Sequence, residues 1–203
     1  MPVIFAELAA QYPPEKVRDQ SSGVVAANGQ YILCRQDAYE AVGGHAVGAD
    51  QILEDVALAR AFRRAGFKVH FRYGADVVRT RMYRSWSELR EGWTKNLALL
   101  FPHPVRRAMT LCAWWAMALL TLPAPIAAAA LYVRVRRANF GRGVTLLATT
   151  VGPAAFGYLT LRSVRAHARG EVSWKGRTYS ERAPKNLASV SGTRAEAALE
   201  SHR

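Results

Sequence analysis

The sequence predicts an α/β domain followed by a helical membrane hairpin. Residues 67–72 alternate apolar and polar side chains, as a half-buried strand does, and helical patterns lie on both sides of this stretch. Farther along, the chain is uncharged over residues 108–133 and again over residues 143–161. A bilayer core requires roughly 20 apolar residues of helix, so both runs are long enough to span it.

The N-terminal part contains short predicted elements. Residues 1–20 form an apolar or linker segment without the basic start and cleavage site of a signal peptide, and we expect it to lie on the membrane or to pack on the domain. Residues 22–35 predict one or two strands around a turn at Asn28–Gly29. A short helix over about Gln36–Val42 follows and ends at Gly43–Gly44.

The next helix begins at an adjacent acidic pair, Glu54 and Asp55, and ends at Gly66. Acidic side chains in a first helical turn complement the helix dipole by about 0.3–1 kcal/mol, so helix capping alone can explain such a pair. The alternative is that one carboxylate takes part in a reaction. Residues 67–72 and 76–83 predict two further strands.

A well-marked helix begins at Ser85. Ser85 and Glu88 have the spacing of a capping box, which satisfies amides at the start of a helix. The apolar residues that follow recur at three- and four-residue steps: Trp86, Leu89, Trp93, Leu97 and Leu100. Residues 21–104 therefore predict a small α/β domain, of marginal size for independent stability.

Residues 105–165 form the predicted membrane region, with spans at 108–133 and 143–161. Pro123 and Pro125 interrupt the first span and favour a kink or two short pieces. More basic residues flank the outer ends of the hairpin than lie in its connecting loop, so we expect both chain ends in the cytoplasm. The alternatives are a buried hairpin in a soluble protein and a re-entrant or interfacial second segment.

The chain is strongly basic, with 28 Lys and Arg against 15 Asp and Glu and a net charge of +13 over 203 residues. This charge indicates a polyanionic partner. Nucleic-acid binding is not predicted, because no recognition motif is present and much of the arginine borders the apolar runs. The basic tail over residues 166–203 is expected to be disordered. Two cysteines, Cys34 and Cys112, indicate no disulfide framework.

Three stretches in a fixed order carry a family resemblance: GVVAANGQYILCRQDAYEAVGGH, ILEDVALARAFRRAGFKVHF and RMYRSWSELREGWTKN, within about residues 20–104. They resemble the acceptor-side half of family 2 glycosyltransferases with the GT-A fold. Within that family they look like the membrane-bound, ceramide-glucosyltransferase-like group, with its hopanoid- and carotenoid-associated bacterial members. The resemblance implies inverting transfer of a sugar from a nucleotide-sugar donor, expected to be a UDP-sugar, to a hydroxyl of a lipid acceptor. It also implies a multi-pass protein of the bacterial inner membrane, with its catalytic part facing the cytoplasm.

The resemblance implies that Asp55 is the catalytic base. In the family a Glu-Asp pair opens a helix after a Gly-Gly turn, and its Asp takes the proton from the acceptor hydroxyl as that oxygen attacks the sugar. Glu54 would support the start of the helix and the local charge. His45, just after the glycines, would line the acceptor site; alternatively it is a solvated loop histidine.

A second family element consists of Gln or Arg, two variable residues and Arg-Trp. Residues 89–93 keep the Trp, which would border the acceptor, but have Leu at the first position and Gly at the Arg position. Arg90 or Lys95 would then supply the positive charge for the donor's diphosphate. Trp93 is alternatively a core residue of the apolar stripe.

The resemblance also implies parts that this sequence does not show. The nucleotide-binding half, with its Asp-x-Asp motif, should precede Ser21, and the sequence contains no Asp-x-Asp pair. The complete family enzyme is expected to use Mg²⁺ or Mn²⁺, for which this chain has no ligand motif. We therefore expect a fragment with little transferase activity by itself. The alternative is a non-catalytic remnant or membrane subunit of a glycosyltransferase.

Overall fold

The computed structural model describes residues 1–72, 74, 78, 80–120, 124–136, 140–174 and 177–179. The helices are α1 (Pro2–Gln11), α2 (Pro14–Arg18), α3 (Gln36–Ala41), α4 (Glu54–Arg64), α5 (Trp86–Leu100), α6 (Pro104–Leu120), α7 (Ala124–Arg136) and α8 (Arg142–Arg169). Short 3-10 helices lie at Gln20–Ser22 and Gly44–Gly48. The strands β1 (Val172–Trp174) and β2 (Arg177–Tyr179) pair as an antiparallel hairpin.

The long helix α8 is the centre of a helical bundle, because α1, α5, α6 and α7 all pack against it. The core of this bundle consists of apolar side chains from α1, α5, α6, α7 and α8, together with Phe101, which directly follows α5. Its buried members are Val3, Ile4, Trp93, Leu97, Phe101, Ala108, Leu111, Leu131, Val135, Ala148, Phe156 and Leu159.

A buried serine joins α8 to α5. Ser163 Oγ donates a hydrogen bond to the carbonyl oxygen of Thr94 (2.6 Å) and accepts one from the amide of Ala98 (2.8 Å). Arg162 Nε adds a hydrogen bond to Thr94 Oγ1 (3.1 Å). A shift of one helix along the other would leave the buried Ser163 hydroxyl without these partners, so the serine favours this register of the two helices.

The N-terminal segment packs on the bundle through α1, which lies mainly against α7 and α8. Glu7 of α1 is buried and pairs with two arginines. Its carboxylate accepts hydrogen bonds from Arg107 Nε of α6 (2.7 Å) and from Arg134 Nε of α7 (2.9 Å). This three-residue ion-pair cluster ties α1 to both of the helices that follow α5.

The first predicted membrane span, residues 108–133, falls on α6 and α7, and its residues 121–123 lie outside the described residues. The described helical stretches of 17 and 13 residues correspond to about 25 and 20 Å, shorter than the roughly 30 Å hydrocarbon core. Pro125 lies in the first turn of α7, where its missing N–H is not needed. The second predicted span, residues 143–161, lies within α8. In the part of the chain that the structure describes, α8 alone has the length and composition to cross a membrane.

The predicted strands at residues 22–35 and 67–72 are not formed; apart from the turn, residues 23–35 and 67–72 have no regular secondary structure. A strand requires a hydrogen-bonded neighbour, and the hairpin β1–β2 is the sheet found among the described residues. The predicted turn is present, since the amide of Tyr31 donates to the carbonyl of Asn28 (3.1 Å). The strand predicted over residues 76–83 lies partly outside the described residues.

The helix predicted at Ser85 is confirmed, including its cap. Ser85 Oγ accepts from the amide of Glu88 (3.1 Å), and Glu88 Oε2 accepts from the amide of Arg84 (2.8 Å). The tail predicted to be disordered from residue 166 instead begins with the end of α8 and the hairpin, since Val172 is buried against the bundle. Residues 180–203 lie outside the described residues.

We expect Glu7→Ala to lower the free energy of unfolding by about 3 kcal/mol, because it leaves two partly buried guanidinium groups without their carboxylate. Denaturant unfolding in a mild uncharged detergent, followed by circular dichroism, measures this change. Glu15→Ala, an exposed glutamate of α2, is the matched control and should cost less than about 1 kcal/mol. Equal losses for the two variants would contradict a stabilising role of the ion-pair cluster.

Candidate active site

The loop before α4 fixes where the acidic pair lies. Ile52 is buried and packs with Leu99 of α5 and Val172 of β1, which anchors this loop on the bundle. Gly48 lies against the first turn of α4: a Cβ atom at this position would be 3.0 Å from the carbonyl oxygen of Glu54. Any side chain at residue 48 would therefore push the loop away from the start of α4.

Asp55 is partly buried and accepts hydrogen bonds on both carboxylate oxygens. Oδ2 accepts from the amide of Gly29 (2.8 Å), and Oδ1 accepts from the amide of Val56 (2.8 Å). Burial raises the pKa of the Asp55 carboxyl above its usual value, the two amide hydrogen bonds oppose this shift, and the neighbouring Glu54 charge adds to it. Gly29 of the predicted turn thus contacts Asp55, the predicted base. The raised pKa makes the Asp55 carboxylate more basic than that of an exposed aspartate.

Glu54 and Lys95 also meet at the start of α4. Lys95 Nζ lies 3.9 Å from Glu54 Oε2, and the Lys95 side chain is only 10% exposed, whereas that of Glu54 is 53% exposed. The Lys95 ammonium group also lies 5.4 Å from the centre of the Tyr179 ring, a cation–π contact. The structure therefore places one buried cation beside the acidic pair.

Trp93 lies in the hydrophobic core. Its ring makes edge-to-face contacts with Phe5 and Tyr83 at centroid distances of 6.1 and 6.4 Å, and it is 3% exposed. The adjacent Gly92 stands at the family's arginine position, and a Cβ atom there would lie 2.5 Å from Tyr83 Oη. Burial raises the pKa of Tyr83 to about 12. In this chain the Tyr83 ring therefore occupies the space that a side chain at residue 92 would need.

His45 and Arg90 lie on other parts of the surface. His45 is exposed, and its Nδ1 lies 2.6 Å from Tyr39 Oη, which also accepts a hydrogen bond from the His45 amide (3.0 Å). Arg90 lines a cleft between α5 and α8. Within the described ranges, neither residue is joined to Asp55 by a hydrogen bond or an ion pair.

Two contributors to this site were not identified from the sequence. Gly29 was recognised as a turn residue, but the donation of its amide to Asp55 depends on a contact 26 positions along the chain. Tyr179, which borders Lys95, was assigned to the tail. For metals, the described residues contain no group of three or more His, Cys, Asp or Glu side chains that could hold an ion.

Comparison with known proteins relates the chain to bacterial glycosyltransferases. It is similar to the 4,4'-diaponeurosporenoate glycosyltransferase of Staphylococcus aureus strain MRSA252, with 27% identity over 179 residues that cover 76% of this chain and 47% of the relative. The protein of strain USA300 is 28% identical over the same shares. The chain thus spans about half the length of the curated relatives it matches. No protein-family model and no solved structure matches it.

The raised pKa of Asp55 predicts how Asp55→Asn changes stability with pH. Because the folded pKa exceeds the unfolded value of about 3.9, ionisation of Asp55 disfavours the folded state as the pH rises through the folded value. The variant cannot ionise here and is expected to gain stability relative to the parent between pH 4 and pH 7. Unfolding free energies of the variant and of the parent, measured across this pH interval, give the sign of the difference between them. A relative loss would show that the amide hydrogen bonds outweigh burial.

Proposed function

We propose that this chain is the acceptor-side part of a family 2, GT-A-type glycosyltransferase. The reaction is inverting transfer of a sugar from a nucleotide-sugar donor, a UDP-sugar, to a hydroxyl of a lipid acceptor. The observation that carries the proposal is the partly buried Asp55 carboxylate, held by the Gly29 amide at the start of α4. The similarity to relatives named as glycosyltransferases supports the class of reaction.

In this proposal Asp55 accepts the acceptor's proton. A carboxylate has about four lone-pair sites, and the two amide hydrogen bonds of Asp55 leave sites for an incoming hydroxyl. As the acceptor oxygen bonds to the anomeric carbon, its proton passes to Asp55, and the bond to the diphosphate breaks with its electron pair on the leaving group. The raised pKa favours this proton transfer.

Lys95 is the cation that we assign to the leaving diphosphate. Its ammonium group is held beside Glu54, whereas Arg90 lies in the separate cleft between α5 and α8. A buried positive charge stabilises a developing anion more strongly than an exposed one. The divalent metal of the complete family enzyme does not fit the described residues, because they contain no suitable ligand group. We assign donor and metal binding to the nucleotide-binding half that the family resemblance implies.

Membrane association is supported by an apolar belt, which we define as the exposed apolar side chains of α6, α7 and α8. Its members are Met109, Trp114, Met117, Leu119, Leu120, Ile126, Val133, Val144, Leu146, Leu147, Val151, Tyr158 and Leu161. Exposed apolar side chains in this number on neighbouring helices are typical of a membrane or protein contact. Among the described helices only α8 is long and apolar enough to cross a membrane, which does not support the predicted multi-pass arrangement. We propose that the apolar belt inserts into the bacterial inner membrane, with α4 on the cytoplasmic side.

Asp55→Asn is expected to reduce sugar transfer by about a hundredfold or more, because general-base catalysis is lost while one amide hydrogen bond remains possible. The substitution is made in a fusion of this chain to the N-terminal half of a Staphylococcus relative, assayed with labelled UDP-sugars and membrane lipids. Asp50→Asn, an exposed aspartate in the preceding loop, is the matched control and should retain activity. Full activity of Asp55→Asn would favour the non-catalytic alternative, in which the pair only caps α4.

The 203-residue chain by itself is expected to transfer no sugar in the same assay, because its described residues provide no site for the donor's metal. Product formation is measured by mass spectrometry of the extracted lipids. The fusion with the relative's N-terminal half should restore transfer. Robust transfer by the purified chain alone would contradict the assignment of donor binding to a preceding half.

A further inference from the structure

A cleft of about 550 Å³ lies between the N-terminal half of α5 and the C-terminal half of α8. Four of the residues that line it are arginines: Arg90 of α5, and Arg162, Arg165 and Arg169 of α8. The sequence indicated three of these only as charges flanking an apolar run. In the fold they converge on one cavity, because Ser163 holds α8 in register against α5.

The charge of this cleft is positive and only partly neutralised. Two lining carboxylates, Glu91 and Glu171, oppose the four arginines, and Glu171 lies 3.9 Å from a guanidinium nitrogen of Arg169. Arg165 is exposed, and in the parts of the chain that the structure describes its side chain has neither a hydrogen bond nor an ion pair. A guanidinium group carries five N–H donors and matches the geometry of a phosphate, so the cleft has free donors for an anion.

The same cleft continues into the apolar belt. Tyr158 and Leu161 line it while remaining 48% and 41% exposed, and the belt residues Leu147 and Val151 precede them on α8. Residues 147, 151, 158, 162, 165 and 169 follow one another in steps of three, four or seven, so they share one face of α8. This face is apolar for its first half and basic at its end, which fits a ligand with an apolar tail and an anionic head.

We propose that the α5–α8 cleft binds the phosphate of an anionic phospholipid headgroup, with the acyl chains along the apolar belt. A soluble phosphate compound would gain nothing from the apolar border, whereas an anionic lipid matches both halves of the face. Bound lipid would hold the end of α8 at the membrane surface. The buried cluster around Ile52, which includes Ala166 of α8, would then fix the height of α4 above the bilayer. The proposal does not depend on the sugar-transfer reaction.

The test measures lipid binding by the full chain in an uncharged detergent. The probe is dioctanoyl phosphatidylglycerol, and native mass spectrometry gives the dissociation constant. We expect saturable binding that weakens by about 30-fold in the double variant Arg162→Gln/Arg165→Gln. The matched control, Arg18→Gln/Arg64→Gln, removes the same charge from exposed arginines of α2 and α4 and should change binding by no more than about twofold. Equal weakening in both double variants would overturn the proposal.

Further probes distinguish the source of the phosphate. Zwitterionic dioctanoyl phosphatidylcholine should bind at least about tenfold more weakly than phosphatidylglycerol, and comparable affinity would contradict an anionic-headgroup site. Inorganic phosphate and UDP should not displace the lipid at equal concentration; if either does, the cleft is a site for a soluble phosphate compound and the proposal is wrong. If the glutamine variant does not fold, the double variant Arg162→Lys/Arg165→Lys, which keeps both charges, replaces it and should still prefer phosphatidylglycerol to phosphatidylcholine. In the parent protein, raising the salt concentration should reduce this preference, because salt screens the charges of the cleft. A preference that does not change with salt would contradict the proposal.

Discussion

One buried hydroxyl, Ser163 Oγ, connects the backbone of α5 to α8 by donating to Thr94 and accepting from Ala98. The neighbourhood of the acidic pair depends on this register. Lys95 follows Thr94 directly, so the position of its ammonium group beside Glu54 is set by the same turn of α5. One turn farther along α5, Leu99 packs against Ile52. This contact holds the loop before α4 on the bundle.

The surroundings of Asp55 bear on whether the acidic pair does more than cap a helix. The hydrogen bond between Asp55 Oδ1 and the amide of Val56 is local and suits a helix terminus. The bond between Oδ2 and the amide of Gly29 is not local, and helix capping does not require it. Capping by an exposed carboxylate is worth about 0.3–1 kcal/mol and needs no burial. Burial that raises the pKa of Asp55 instead costs stability at neutral pH, as is common at sites where a carboxylate has a chemical task.

The departure from the family's Arg-Trp element has a packing explanation. Gly92 of α5 leaves room for the partly buried Tyr83 ring, which lies before the helix and also contacts Trp93. A longer side chain at residue 92 would displace that ring. Lys95, one helical turn after Glu91, provides a positive charge from the same helix without disturbing this contact.

The sequence by itself determined the elements whose signals are local. These are the Asn28–Gly29 turn, the starts of α4 and α5, and the apolar run that became α8, because caps, turns and helical periodicity involve residues within a few positions of each other. Only the tertiary structure decided the features that join distant residues. The strands expected over residues 22–35 did not form, although the turn between them did, since a pair of strands without further packing is only marginally stable. The burial of Glu7, the contact of Gly29 with Asp55 and the convergence of four arginines on one cleft likewise depend on packing across long stretches of chain, which no local pattern encodes.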